Sequence, residues 1–216
     1  MTELRAIDPT CSTVVAWYDR LPDAFARLVG DVQATCTAAL GHAFLARDPG
    51  QVHATLVGLE RAAAPFDPEP LAAYLGAVLA EPLTIRFGGV EPGDLRLRSR
   101  GRRLYDRTFV AWGNRVVLVG WPVVAGVATA AVAEVRDGCA AFGVTHRYGR
   151  DPDVYLVIGD VTDAPPDRVA AVEARVRADL AAAPVSVPLS AADLTVVSYA
   201  DPALPRASSS WRPLLA

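Results

Sequence analysis

"QVHATLVGLE", residues 51–60, sets His53 and Thr55 two positions apart in an otherwise apolar run that follows the breaker Asp48-Pro49-Gly50. Side chains alternate across a strand, so residues two apart share a face. A lone histidine on a strand can be a satisfied core residue. A hydroxyl beside it on the same face favours chemistry instead.

Upstream, Phe25, Leu28, Val29, Val32, Cys36, Ala39 and Ala43 recur at helical spacing, which predicts a helix from Pro22 to about Arg47. Downstream, Leu71, Leu75, Val78 and Leu79 predict a short helix closed by Pro82, and "LTIRF" a strand. "RTFVAW", Gly113-Asn114 and "RVVLVGW" read as a hairpin. Val124 to Phe142 carries a further helical stripe with Gly143 as a left-handed cap. "VYLVIGD" follows as a strand, Val169 to Leu180 as a helix ending at Pro184, and "VSVPL" and "LTVVSYA" as the last strands.

Composition bounds the class of molecule. A chain of 216 residues, 52% hydrophobic, can bury a full core. It has no apolar stretch of membrane-span length, and "MTELRAIDPT" lacks the features of a signal peptide, so the expectation is a cytoplasmic protein with no membrane partner. Cys11, Cys36 and Cys139, odd in number and without CxxC spacing, read as reduced core residues. Net charge is −3 and every cation is arginine, yet Arg96, Arg98, Arg100, Arg102, Arg103 and Arg107 fall within twelve residues. Such a run is either a charged edge strand or an anion-seeking patch.

The predicted elements repeat weakly: long helix, apolar strand, helix, proline, strand in each half. His53 lies 29 residues before Pro82, and Asp153 lies 31 before Pro184, which makes Asp153 the counterpart of His53 and Tyr155 that of Thr55. A second spacing match, Asp193 and Thr195 in "DLTVV", falls after the last helix, where the order expects a closing strand. The fold class is α+β, mainly antiparallel sheets with outer helices around a central cleft. The chain forms one two-lobed domain, 1–216, with lobes of about 10–123 and 124–216.

"HATL" together with this order resembles the 2H phosphoesterase superfamily, which includes RNA 2′,3′-cyclic phosphodiesterases. The resemblance implies a pseudo-symmetric fold in which a His-x-Thr strand from each lobe faces the cleft, two histidines serve as general acid and base, and two hydroxyls hold the phosphodiester. The first motif carries over as His53 and Thr55. The second has Asp153 where the family has histidine, and an ionised carboxylate would repel a phosphate. His146, in the loop "THRYGRD", is the candidate substitute imidazole, with Tyr148 as a further donor.

The candidate catalytic residues are therefore His53, Thr55, His146, Asp153 and Tyr155. Arg100 and Arg107 would clamp phosphate and Tyr105 would stack on a base. Ser198, Tyr199 and Asp201 could border the cleft. His42 reads as an ordinary surface or boundary residue. The sequence has no GxSxG elbow, P-loop, Rossmann glycine pattern or HExxH. No cofactor is implied, and the spacing of His53, His146 and Asp153 does not require a metal. The expected function is a phosphodiesterase-like hydrolase acting on a cyclic or linear phosphodiester of a nucleotide or short RNA. The alternative is a catalytically inactive nucleotide- or RNA-binding module of the same fold.

Overall fold

The computed structural model describes residues 8–62, 66–93, 96–147 and 150–215. The strands are β1 (Ser12–Ala16), β2 (Phe44–Ala46), β3 (Ala54–Gly58), β4 (Leu83–Phe87), β5 (Arg98–Ser99), β6 (Arg102–Arg103), β7 (Phe109–Trp112), β8 (Arg115–Val124), β9 (Val127–Ala128), β10 (Val154–Val161), β11 (Val185–Leu189), β12 (Leu194–Tyr199) and β13 (Ser209–Pro213). The helices are α1 (Asp23–Leu40), α2 (Glu69–Val78), α3 (Leu104–Arg107), α4 (Ala131–Gly138) and α5 (Pro166–Ala182). The fold is mixed α+β. Among the described residues every strand pairing is antiparallel, and a sheet runs in the order β11-β4-β8-β10-β3-β1-β12-β13.

β8 is the longest strand and changes partners along its length. Its first half, Arg115–Gly120, lies between β7 and β10, and its second half lies between β4 and β9. Gly120 sits at the changeover, where a Cβ would come within 2.6 Å of the Phe87 ring. Pro122 follows in the strand and accepts hydrogen bonds without donating one.

One face of the sheet carries the main core. Ala54 and Leu56 of β3, Leu118 of β8 and Val154, Leu156 and Ile158 of β10 pack there with Phe25 and Val29 of α1, Leu71 and Leu75 of α2, Val132 and Val135 of α4, and Val172 and Val176 of α5. The other face holds two small apolar clusters. One groups Val117, Val119 and Trp121 with Leu104 and Val110; the other groups Val15, Tyr18, Val197 and Leu204.

β3 and β10 share the middle of the sheet, with Leu156 opposite Ala54. Beyond this pair they splay, and the carbonyls of the separating segments lose their ladder partners. Arg136 of α4, 2% exposed, fills that opening. Its Nε donates to Leu56 O (2.9 Å), Nη2 to Thr55 O (3.1 Å), and Nη1 to both Asp151 O and Asp153 O (2.9 Å each). A planar guanidinium with five donors suits this task, and an ammonium does not.

Several local expectations change. The first long helix ends at Leu40 because Gly41 turns the chain at φ 58°, so Ala43 lies beyond the α-helix, in a short 3₁₀ turn with the exposed His42. The stripe from Val124 becomes helical only at Ala131, since Val124 ends β8 and Val127–Ala128 pair back on it. Gly143 does cap its end at φ 72°. Cys36 and Cys139 are buried, with thiols pushed up by burial to about 12 and about 11, whereas Cys11 is exposed. β1, β2 and β13 are additions to the expected elements; each is short, and β1 and β2 pair with strands distant in sequence, whereas β13 pairs back on β12. The arginine run is a separate hairpin, β5–β6, turned by Arg100 (φ 49°) and Gly101 (φ 73°) and followed by α3.

Replacing Arg136 by Met should lower stability by about 3 kcal/mol, because buried carbonyls lose their donors. Arg136→Lys should recover less than half. Urea unfolding with an unchanged m-value checks both.

Candidate functional site

The face opposite the main core is concave between its two small clusters, and there a cavity of about 200 Å³ opens. Four of the sequence-derived candidates, His53, Thr55, His146 and Tyr155, line it together. The alternation of β3 and β10 explains part of this. Ala54 and Leu156 point into the core, so Thr55 and Tyr155, their neighbours, point the other way. Thr13 of β1, Glu60, Trp112, Arg115 of β8, Arg147, Tyr199 at the end of β12, and Leu204 complete most of the wall.

His53 stands one residue before β3, half-buried. Its Nδ1 lies 2.6 Å from Gln51 O, and a carbonyl can only accept, so Nδ1 carries the proton. Nε2 therefore holds the lone pair of the neutral ring. The Tyr18 ring stands edge-on to the imidazole at 5.8 Å between centres. Tyr18 in turn packs against Trp211 of β13 and donates its hydroxyl to Leu204 O (2.9 Å). Burial lowers the His53 pKa to about 4; the Gln51 carbonyl opposes this, and Arg47 adds to it.

His146 is in the opposite tautomer. Its Nδ1 accepts the Gly58 backbone N–H (3.0 Å), so Nε2 bears the proton. It is 5% exposed at the far end of β3 from His53. Burial first, then the positive charges of Arg136, Arg100 and Arg61, lower its pKa to about 3. At neutral pH the cavity therefore holds two uncharged imidazoles, one an acceptor and one a donor.

The remaining candidates lie outside the cavity wall. Asp153 is 1% exposed, accepts a hydrogen bond from the Ser99 hydroxyl, and lies 3.9 Å from Arg107 Nη2. Burial raises its pKa, against the lowering influence of Ser99 and Arg107. Arg107 is itself buried, and Tyr105 packs on the cluster around Trp121. Arg100 flanks the cavity: its guanidinium lies 4.7 Å from the centre of the Trp112 ring and 5.4 Å from that of Tyr155, with Nε bonded to Asp151 (2.8 Å). Tyr148 lies outside the described residues. Ser198 bonds Ser12 (2.9 Å), and Asp201 caps its own turn, so only Tyr199 of that trio reaches the cavity.

Sequence reasoning misses Thr13, Trp112, Arg115 and Arg147. Trp112 and Arg115 do carry a signal, since they flank the Gly113-Asn114 turn and so face each other across the hairpin. Thr13 has no local signal, because only the pairing of β1 with β3 brings it in. Among the described residues no group of three His, Cys, Asp or Glu side chains could hold a metal ion, and no helix is long and apolar enough to cross a membrane.

The histidine shifts have a definite sign. Each ring is harder to protonate folded than unfolded, so between pH 6.5 and 4 the unfolded chain takes up more protons and stability falls with pH. Asp153, raised by burial, contributes in the opposite direction. Between pH 7 and 4.5, His146→Asn, which keeps an acceptor for Gly58, should lose about 2 kcal/mol less stability than the unaltered protein. Urea titrations at the two pH values check this.

No family model matches the sequence, and no curated protein matches it significantly. Among solved structures, TT0787 of Thermus thermophilus superposes with a TM-score of 0.45 at 15% identity, over 93% of this chain and 93% of that one. The conserved protein of unknown function ATU0111 from Agrobacterium tumefaciens superposes with a TM-score of 0.42 at 12% identity, over 87% and 86% of the two chains.

Proposed function

We propose that this cavity is the active site of a phosphodiesterase-like hydrolase acting on a cyclic or linear phosphodiester of a nucleotide or short RNA, in a two-lobed fold of the 2H phosphoesterase kind. One observation carries the reading: His53, with Nδ1 committed to Gln51, keeps Nε2 as a base in the same cavity as the Thr55 hydroxyl two residues on. The His-x-Thr signature supports it from the sequence. The central pairing of β3 with β10, and of β4 with β11, supports the two-lobed arrangement.

The Thr55 hydroxyl donates to a phosphoryl oxygen. A water oxygen bonds to phosphorus as its proton passes to His53 Nε2. The P–O bond to the ribose breaks, and the leaving oxygen takes its proton from the Tyr155 hydroxyl. Tyr155 is reprotonated from solvent, and the His53 imidazolium releases its proton there, so the net change is addition of one water. With a pKa of about 3 and Nε2 buried away from solvent, His146 does not serve as the family's second acid.

That last point favours a second reading, a binding module that holds the phosphodiester without cleaving it. Turnover separates the two. His53→Ala should lower kcat on a 2′,3′-cyclic nucleotide by roughly 10²- to 10⁴-fold, the contribution of one positioned acid–base group. A full rate in the variant sinks the hydrolase reading, and binding with no turnover in the unaltered protein selects the module.

The pH profile is a further check. kcat/KM reports the empty site and should fall only below about pH 4, where His53 becomes protonated. A bound phosphate anion favours the imidazolium, so the acid limb of kcat should lie at higher pH. Coincident limbs at pH 6.5 would contradict the assignment of His53 as the desolvated base.

A further inference from the structure

The wall at the hairpin end of the cavity has no part in the chemistry above. Trp112 and Arg115 are opposite partners across the β7–β8 turn, so their side chains leave the sheet on the same face, and both line the cavity. Trp112 is 48% exposed, unusual for the largest apolar side chain. Arg115 is exposed, and among the described residues its side chain makes no ion pair and no hydrogen bond, in contrast to Arg47, Arg100, Arg103, Arg107 and Arg177.

Their position relative to His53 follows from the register. Val117 faces Val157 across β8 and β10, and Val157 lies one step beyond Leu156, the partner of Ala54, which brings it to the level of His53. Arg115 is two residues from Val117 on the same face, roughly 7 Å along the strand. β8 lies two strands, roughly 10 Å, across from β3, which puts the Arg115 backbone about 12 Å from that of His53, with a long side chain to span part of it. A ring and a cation side by side at this remove match the next nucleotide of a single strand, with its base on the indole and its phosphate on the guanidinium.

We infer that Trp112 and Arg115 form a subsite for the nucleotide next to the terminal one whose 3′-phosphate is held at His53 and Thr55, so that the ligand is the end of an RNA strand and not a lone mononucleotide. The inference rests on the phosphodiester reading of the cavity but not on its catalytic step. Stacking gives little preference among bases, since every base offers a flat face.

Calorimetric titration of the whole protein with a nucleoside 3′-monophosphate, and with a dinucleotide ending in the same 3′-phosphate, tests it. The dinucleotide should bind about tenfold or more tightly. Trp112→Ala and Arg115→Gln should each remove most of that gain while changing mononucleotide affinity less than twofold. In Arg115→Gln the slope of log K against log salt for the dinucleotide should fall by about 0.7.

Equal affinities for the two ligands, a gain that survives both substitutions, loss of mononucleotide affinity in Arg115→Gln, or no binding of either ligand would each overturn the subsite. Turnover undiminished in His53→Ala alongside an intact dinucleotide preference would remove the catalytic reading and leave the subsite standing.

Discussion

The guanidinium of Arg136 closes a gap that the central strands cannot close themselves. β3 and β10 must pair in mid-sheet, yet splay beyond Leu156 and Ala54, and the freed carbonyls of Thr55, Leu56, Asp151 and Asp153 turn towards one cation. Leaving such acceptors dry and unpaired is costly, and burying an unpaired charge costs more. Each solves the other's difficulty. The contact also ties α4 to the strands that carry Thr55 and Tyr155, so the backbone of the cavity floor is held from behind, from the core side.

That division of faces organises the molecule. The core face is saturated with aliphatic side chains from four helices, whereas the opposite face is only partly covered. The arginine-rich excursion covers one side, where Ser99 and Arg107 enclose Asp153. The segment ending at Leu204 covers the other and is fastened by Tyr18. What stays open between them is the cavity, so a carboxylate that alternation alone would have put there is withdrawn from it.

The histidines show how position sets chemistry. Both are shielded from water and therefore neutral, yet backbone partners at opposite ring nitrogens give them opposite roles. Gln51 offers a carbonyl and Gly58 an amide. Neither choice involves a side chain, so no residue type in the sequence could have signalled it.

The sequence by itself determined the α+β class, most of the helices and longer strands, and the shared face of His53 and Thr55, because periodicity and turn residues act over a few neighbours. It also supplied His146 and Tyr155 as candidates, and both line the cavity. Tertiary structure decided the rest. The strands β1 and β2, the burial of Asp153 under Ser99 and Arg107, the task of Arg136 and the entry of Thr13 all depend on partners distant along the chain. Pairing register, desolvation and the direction of a hydrogen bond are properties of neighbours in space, and a local pattern carries none of them.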